Sequence, residues 1–439
     1  MIFALIIFLV TYALMLAFQK YRPWIALTSA SVFVILGIIG MYDMSFLDAL
    51  GAVDYNVLLM IGGTMGTVTL FVESKMPARL AEILISKVPD VKWAVTSLAL
   101  FAGIISAFVD NVATVLMVAP IGLAISRKLK ISPVPVLIAI AVSSNLQGAA
   151  TLVGDTTSIL LGGYAGMTFL DFFWMLGKPG IFWGVQLGAL ASVVVLLYLF
   201  RNENQKVSAK VETKVEDYFP SFLMIATVGL LIGASFLQEP ANASLMTFYN
   251  LRSGLICFAL CVIGVIRACV KKSNFEPVKM VLRDLDKDTL LLLFGIFIVI
   301  EGITKAGVID AVASLFYQVS GDNAFLLYTL IVFASVILSA FIDNIPYVAT
   351  MLPVVSSIAA LMNGGAGMAP YVFYFGLLTG ATLGGNLTPI GASANIAAIG
   401  ILRKNGESVS TRDFLRIGVP FTLAAVLAGY IYIWLVWGM

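Results

Sequence analysis

Runs of about twenty apolar residues recur along this chain, and a run of that length is what a helix needs to cross a lipid bilayer. They occupy positions 1–18, 24–41, 180–200, 220–237 and 420–439. None alternates with a period of two, so they read as helices and not as barrel strands. Of the 439 residues, 60% are hydrophobic and 11% are charged. A soluble globular chain carries about 25% charged residues, so this one has too few to cover a water-facing surface. The fold class expected is an all-α polytopic membrane protein, with membrane lipid as its solvent. The first run lacks the basic flank and small-residue cleavage site of a secretory leader and is read as a retained helix. A net charge of +2 gives no reason to expect a nucleic-acid partner. There is no histidine, so a proton relay would have to use carboxylates or water. The three cysteines, Cys257, Cys261 and Cys269, share one apolar segment. The last lies roughly 18 Å beyond the first along a helix at about 1.5 Å per residue, too far for a common metal ion. They read as packing residues.

Basic residues cluster at Lys20 and Arg22, from Lys75 to Lys92, at Arg127, Lys128 and Lys130, and from Arg201 to Lys214. Two further clusters run from Arg267 to Arg283 and from Arg403 to Arg416. The positive-inside rule makes these cytoplasmic. Threading the chain through them places the N-terminus outside and predicts helices at 2–19, 24–41 and 55–74, with Asp43, Asp48 and Asp54 on an outer loop.

Within this background one line is written twice. SAFVDNVATVLMVAP begins at Ser106, and SAFIDNIPYVATMLP begins at Ser339. The first copy lies between two basic loops, and its second arm, 112–126, spans only roughly 22 Å as a helix. That is short of the ~30 Å hydrocarbon core, which predicts a re-entrant hairpin with Asp110 and Asn111 at its tip. The second copy has arms at 323–341 and 345–362 and is followed by the uncharged NGGAGMAP, so it reads as entering from outside with Asp343 and Asn344 at its tip. The order of elements around each copy also matches. The expected organisation is a first repeat over 1–200, a charged cytoplasmic linker over 201–218 and a second, inverted repeat over 219–439, with about ten spanning helices and two hairpins. Inverted repeats of this kind mark secondary transporters.

A second matched pair follows the hairpins. SSNLQGAATLVGDTTSIL starts at Ser143 and GATLGGNLTPIGASANIA at Gly380. Aligned on Gly154 and Gly391, Thr151 meets Thr388, while Asp155 meets Ala392. The first stretch carries Asn145, Gln147, Gly148, Thr151, Asp155, Thr156, Thr157 and Ser158; the second carries Gly385, Asn386, Thr388, Ser393 and Asn395. Glycines and Pro389 weaken or stop a helix. Irregular backbone at membrane depth survives only where it is buried in protein or lines a cavity. There, freed carbonyls and hydroxyls can coordinate a dehydrated cation, and half-helix N-termini can face an anion. Two other accounts compete: kinked helices packed through small residues, and hairpin tips that are only caps, for which Asp and Asn are ordinary residues. A carboxylate inside a bilayer costs about 3 kcal/mol on insertion scales, and its repetition at matched positions favours a working role. Glu301 and Lys305, four apart, read as a simple pair; Glu73 and Lys75 read as interfacial.

The four motifs together resemble the ion transporter superfamily, specifically its ArsB/NhaD permease branch of arsenite exporters, Na⁺/H⁺ antiporters and the P protein, and more distantly the divalent anion/Na⁺ symporters. The resemblance covers nearly the whole chain. It implies that Asp110, Asn111 and Thr114 work against Gly148 to Thr156, and Asp343 and Asn344 against Gly385 to Asn395. It further implies a homodimer whose transport part moves as an elevator against a scaffold. The branch usually reads Gly-Asp-Pro-Pro-Asn where this chain has Gly154-Asp155-Thr156-Thr157-Ser158, and Gly-Gly where it has Gln147-Gly148.

The expected function is that of a secondary active transporter in the cell membrane, with no cofactor beyond Na⁺ or H⁺ as coupling ion. Asp110 and Asp343, completed by Asn111 and Asn344, are the expected ion sites, and a small anion or oxyanion-like solute is the expected cargo. A Na⁺/H⁺ antiporter is the alternative and a passive channel a third reading. No nucleophile and base pattern points to an enzyme.

Overall fold

The computed structural model describes residues 1–129, 131–207, 211–363 and 369–439. Lys130, part of the linker at 208–210 and part of the uncharged loop at 364–368 lie outside the described residues. Most of the described residues are helical. Its first part runs through α1 (Ile2–Ala17), α2 (Arg22–Ile38), α3 (Phe46–Gly51), α4 (Tyr55–Glu73), α5 (Met76–Ile85), α6 (Val91–Ser106), α7 (Asn111–Leu129), α8 (Pro133–Gly148), α9 (Thr156–Ala165) and α10 (Ile181–Leu199). A two-stranded ribbon pairs Trp174 with Pro179 and Met175 with Lys178 just before α10. After the linker come α11 (Phe219–Ala234), α12 (Ala243–Asn250), α13 (Arg252–Lys272), α14 (Glu276–Asp284), α15 (Lys287–Lys305), α16 (Val308–Ser320), α17 (Ala324–Ser339), α18 (Asn344–Leu361), α19 (Tyr371–Gly384), α20 (Ser393–Lys404) and α21 (Thr411–Trp437).

Among the described residues, six helices are long and apolar enough to cross a membrane, or seven if α15 and α16, bent by 71° at their junction, count as one broken span. The remaining apolar helices, among them α1, α6, α8, α11 and α17, have 16 residues each, about 24 Å at 1.5 Å per residue. One expectation changes here. The second arm of the first Asp-Asn unit extends to Leu129 and has 19 residues. It is therefore nearly as long as the bilayer core is thick, and its shortness cannot be what turns the chain back. The interruption lies at the tip, between the end of α6 at Ser106 and the start of α7 at Asn111.

Two helix crossings use glycine in the same way. A Cβ on Gly63 of α4 would lie 2.4 Å from the carbonyl carbon of Cys257 and 2.5 Å from the Phe258 nitrogen on α13. A Cβ on Gly295 of α15 would lie 2.8 Å from the carbonyl carbon of Ala26 and from the Leu27 nitrogen on α2. Small residues let backbones meet this closely inside a membrane, where packing has no help from the hydrophobic effect. Cys257 and Cys261 are buried in the first crossing, with the Cys261 sulfur against Gly66. The starts of the crossed helices match too: the Asp54 carboxylate accepts the Val57 amide at 3.0 Å, and the Asp286 carboxylate accepts the Thr289 amide at 2.9 Å. So do their ends, where Lys75 and Gly307 both adopt the left-handed conformation before the next helix.

The charged linker is stitched to the ends of these helices. Glu82 of α5 accepts the Glu212 and Thr213 amides, both at 2.9 Å, and Lys75 pairs with Glu216 at 2.5 Å. Asp217 takes Arg267 at 2.6 Å and Lys271 at 3.0 Å. Desolvation would raise the Asp217 carboxyl, but Arg267, the Phe219 amide and Lys271 outweigh it and hold it well below the ordinary carboxylate value. Glu73 reaches Lys272 at 3.3 Å, and Glu301 meets Lys305 at 3.8 Å.

If the glycines serve close approach, Gly63→Val and Gly295→Val will each destabilise the fold by about 1–3 kcal/mol. Gly62→Val, where an added carbon meets nothing within 4 Å, will not. Thermal unfolding in detergent, followed by loss of monodisperse protein, separates the three.

Candidate transport site

Each tip aspartate caps the helix that follows it. One carboxylate oxygen of Asp110, Oδ1, accepts the amides of Val112 at 2.9 Å and Ala113 at 3.2 Å. Oδ1 of Asp343 accepts the Ile345 amide at 3.1 Å. Capping is thus real, and it uses only one oxygen of each. The second oxygens differ. Asp343 Oδ2 accepts from Arg22 Nη1 at 2.8 Å and from Ser393 Oγ at 3.4 Å. Asp110 has no cationic partner among the described residues and faces an open cavity.

Beside each tip a helix breaks. Between α8 and α9, and between α19 and α20, the backbone leaves the helix for several residues. The freed carbonyls are met in matching ways. Thr151 donates its hydroxyl to the Ala107 carbonyl, and Thr388 donates to that of Ala340. Ser158 Oγ donates to the Gly148 carbonyl at 3.1 Å, and Asn395 Nδ2 donates to that of Gly385 at 3.0 Å. Gly148 and Gly385 lie against the tip amides: an added Cβ would be 2.4 Å from Asn111 Oδ1 in one case and 3.0 Å from Asn344 Oδ1 in the other. A Cβ added to Gly154 or Gly391 would likewise lie 3.0 Å from the Ala107 carbonyl oxygen or 2.8 Å from that of Ala340. Each break is therefore closed onto its own tip.

The two breaks also join each other. Asn111 Nδ2 donates to Asn145 Oδ1 at 3.0 Å, and Asn145 Nδ2 donates to the Thr382 carbonyl at 2.7 Å and to Asn386 Oδ1 at 3.1 Å. Asn386 Nδ2 returns to the Val142 carbonyl at 2.9 Å. Asp155, expected to be the odd carboxylate, caps α9, accepting the Thr156 amide at 2.8 Å and the Thr157 hydroxyl at 2.7 Å.

A small cavity of about 40 Å³ lies where these pieces meet. Of the residues singled out from sequence, Asp110, Asn111, Asn145, Asp155 and Thr156 line it from the first half, and Asp343, Asn344 and Ser393 from the second. Thr151, Gly154, Ser158, Thr388, Gly391 and Asn395 do not line it; they hold the backbone that does. Gly148, Gly385 and Asn386 sit one layer behind, and Thr114 is buried in its own helix with its hydroxyl 3.4 Å from the Val109 carbonyl. A larger cavity of about 340 Å³ shares Met65, Asp110, Val112 and Asp286 with the small one and continues past Glu73, Met280 and Arg283.

Two charged groups of the site escaped the sequence reading. Arg22 had been read only as a topology signal. Asp286 shares the small cavity with all three site aspartates. Its signal was present in the sequence, because it starts α15 as Asp54 starts α4, with a Leu-Leu pair four residues on and a glycine nine residues on in both. One further asymmetry concerns acceptors. Asn111 Oδ1 takes the Ser106 hydroxyl at 2.7 Å, whereas the buried oxygens Asn344 Oδ1 and Asn395 Oδ1 find no donor among the described residues.

Comparison with known proteins agrees with this architecture. A family model described as a citrate transporter, CitMHS, matches residues 4–375. The chain belongs to the citrate transporter family. The match takes in both tips and the first break but ends before Gly385. An uncharacterized transporter of Mycobacterium tuberculosis is 30% identical over 99% of this chain and 98% of its own length. The P protein of Mus musculus is 27% identical over 87% of this chain and 54% of its own length. Among solved structures, the Alcanivorax borkumensis YdaH transporter superposes with a TM-score of 0.57 at 14% identity, covering 96% of this chain and 98% of that one. Neisseria gonorrhoeae MtrF, described as one of a class of antimetabolite efflux pumps, gives 0.59 at 14% identity, covering 94% and 95%. At that identity the likeness is one of fold. This is a membrane transporter of the citrate transporter and P protein type.

If the threonine struts hold the breaks, Thr151→Val and Thr388→Val will each leave a buried carbonyl without its donor and destabilise the fold by about 1–3 kcal/mol. Hydrogen exchange of 149–155 and 387–392 will rise in the matching variant alone.

Proposed function

We propose that the protein is a secondary active transporter that moves a small anionic solute, a carboxylate or an oxyanion of arsenite type, together with Na⁺ or H⁺. The observation that carries this reading is the convergence of two Asp-Asn tips and two broken helices on one small cavity. Broken helices at repeat interfaces are where transporters bind ions and solutes. The family's description, citrate transporter, favours a carboxylate.

The coupling follows from charge. The cavity gathers Asp110, Asp155, Asp286 and Asp343, and Arg22 balances the last of them. At an effective dielectric of about 20, like unit charges about 4 Å apart repel by about 4 kcal/mol. An anion enters such a space only after cations or protons have filled it. The unpartnered Asn344 oxygen, which lies beside Gly385 on the small cavity, is suited to a dehydrated Na⁺, and Asp110 to Na⁺ or a proton. Asp343 serves as an ion site only when Arg22 has left it.

In this reading the halves 1–200 and 219–439 are inverted repeats, the Asp-Asn units are re-entrant hairpins and the N-terminus is outside the cell membrane. The larger cavity, bordered by Arg283 and Glu73, then opens to the cytoplasm, so the structure is inward-facing. The crossings of α4 with α13 and of α15 with α2 form the scaffold of an elevator, and a homodimer would brace it. Placement in the ArsB/NhaD branch rests on the motifs. The surplus of carboxylates favours a second reading, Na⁺/H⁺ antiport without a solute.

Purified protein in liposomes decides between them. Citrate or arsenite should accumulate against its gradient when Na⁺ or H⁺ is imposed, and Asp110→Asn should abolish that accumulation. Asn344→Ala should raise the half-saturating Na⁺ concentration about tenfold, the equivalent of about 1.4 kcal/mol. Na⁺ flux driven by a pH gradient without any solute would establish the antiporter. Flux that never saturates and never accumulates would refute both.

A further inference from the structure

Arg22 and Arg252 hold the same place in two similar units. Arg22 is the first residue of α2, and Arg252 is the first residue of α13. Helix α2 crosses α15 on Gly295, and α13 crosses α4 on Gly63. The crossed helices start at Asp286 and Asp54, respectively.

Their relations to the tips differ. The Arg22 guanidinium sits 2.8 Å from Asp343, with side chains 12% and 11% exposed, and Asp286 shares a cavity with Asp110. Arg252 touches neither tip. It donates to the Tyr249 carbonyl at 2.7 Å and stacks on the Tyr249 ring at 3.9 Å. It lines a separate cavity of about 280 Å³ with Asp54, Glu239 and Gly163. There Asp54 is packed so closely that a Cβ on Gly163 would lie 2.4 Å from its Oδ2. One arginine is engaged and its counterpart is parked.

We infer that Arg22 and Arg252 are alternating counter-charges for the two tips: Arg22 holds Asp343 in the state seen here, and Arg252 holds Asp110 in the opposite one. The inference rests on the inverted-repeat reading above. Exchanging the halves turns the pair Arg22 with Asp343 into Arg252 with Asp110, and turns Asp286 facing Asp110 into Asp54 facing Asp343. A buried carboxylate stripped of its counter-charge is strongly disfavoured. A tip leaving one arginine must therefore meet a coupling cation or a proton. In this state the tip left for the cation is Asp110; in the other it is Asp343. Arg22 and Arg252 are positioning residues that decide which ion site is open on which side.

The test needs no solute. In a variant with Cys257, Cys261 and Cys269 replaced by serine, Met280→Cys places one thiol on the wall of the larger cavity. Its labelling by a membrane-impermeant maleimide in inside-out vesicles reports how often that cavity is open. Arg22→Gln removes the clasp of the present state and should slow labelling about fivefold or more, the low end of ordinary conformational coupling. Arg252→Gln removes the clasp of the other state and should speed labelling, or raise its extent, by a similar factor. Arg22→Lys should restore the parent rate within about twofold, since the positive charge is kept and the contact with Asp343 uses a single nitrogen. Exchanging the charges, Arg22→Asp with Asp343→Arg, should also return the rate towards the parent. Opposite shifts from variants that remain monodisperse support the exchange; shifts of the same sign, or no effect of Arg252→Gln, overturn it. Labelling does not depend on transport, so failure to accumulate any solute would sink the transport reading and leave this result standing or falling by itself.

Discussion

A helix interrupted inside a membrane exposes amide and carbonyl groups to a medium that cannot solvate them, and everything central to this protein depends on how those groups are satisfied. The breaks after α8 and α19 are each closed by a threonine hydroxyl reaching the end of the neighbouring tip unit, Thr151 to Ala107 and Thr388 to Ala340. Side chains from the next helix, Ser158 and Asn395, meet the carbonyls on the other side. The breaks cannot exist without their tips. The tips in turn are shaped by glycines at 148 and 385 that let the tip amides come close. What looks like a polar blemish in an apolar chain is one self-satisfied unit, built twice and joined through Asn145 and Asn386.

The two units are alike in backbone and unlike in charge. Asp343 is neutralised by an arginine and Asp110 is not. Asn111 has its oxygen capped by Ser106, while Asn344 and Asn395 keep theirs free. Asp155 exists only in the first unit. A symmetric pair of sites would bind the same thing twice. Unequal sites in one cavity can bind a cation and an anion together, with the charge of each lowering the cost of the other. Similarity to YdaH and MtrF at 14% identity is one of fold.

Much of this was legible in the sequence, and the reason is periodicity and repetition. The helices at 2–19, 24–41 and 55–74 appear as Ile2–Ala17, Arg22–Ile38 and Tyr55–Glu73, because long apolar runs between charged loops leave few alternatives. The Asp-Asn tips and Gly-rich breaks stood out because polar residues in an apolar chain are conspicuous, and two matched sets more so. The length of the first unit's second arm was misjudged, since Ser126 to Leu129 continue the helix through basic residues that hydropathy counts as loop. Thr114, Ser158 and Asn395 look like cavity residues from sequence, and here each donates to a backbone carbonyl. Sequence marks a side chain as polar without saying which way it points.

By itself, then, the sequence determined a helical membrane chain with two matched polar interruptions, since apolar length and repeated motifs are local properties. Only the tertiary structure decided which partners those interruptions take. Arg22 and Asp343 are far apart along the chain, and nothing in their neighbourhoods announces the other; their pairing follows from α2 crossing α15 on a glycine and bringing its first residue to the tip. The matching crossing of α13 on α4 instead leaves Arg252 in a separate cavity with Asp54. Charge compensation across a low-dielectric interior depends on distance in space, and that distance is set by packing.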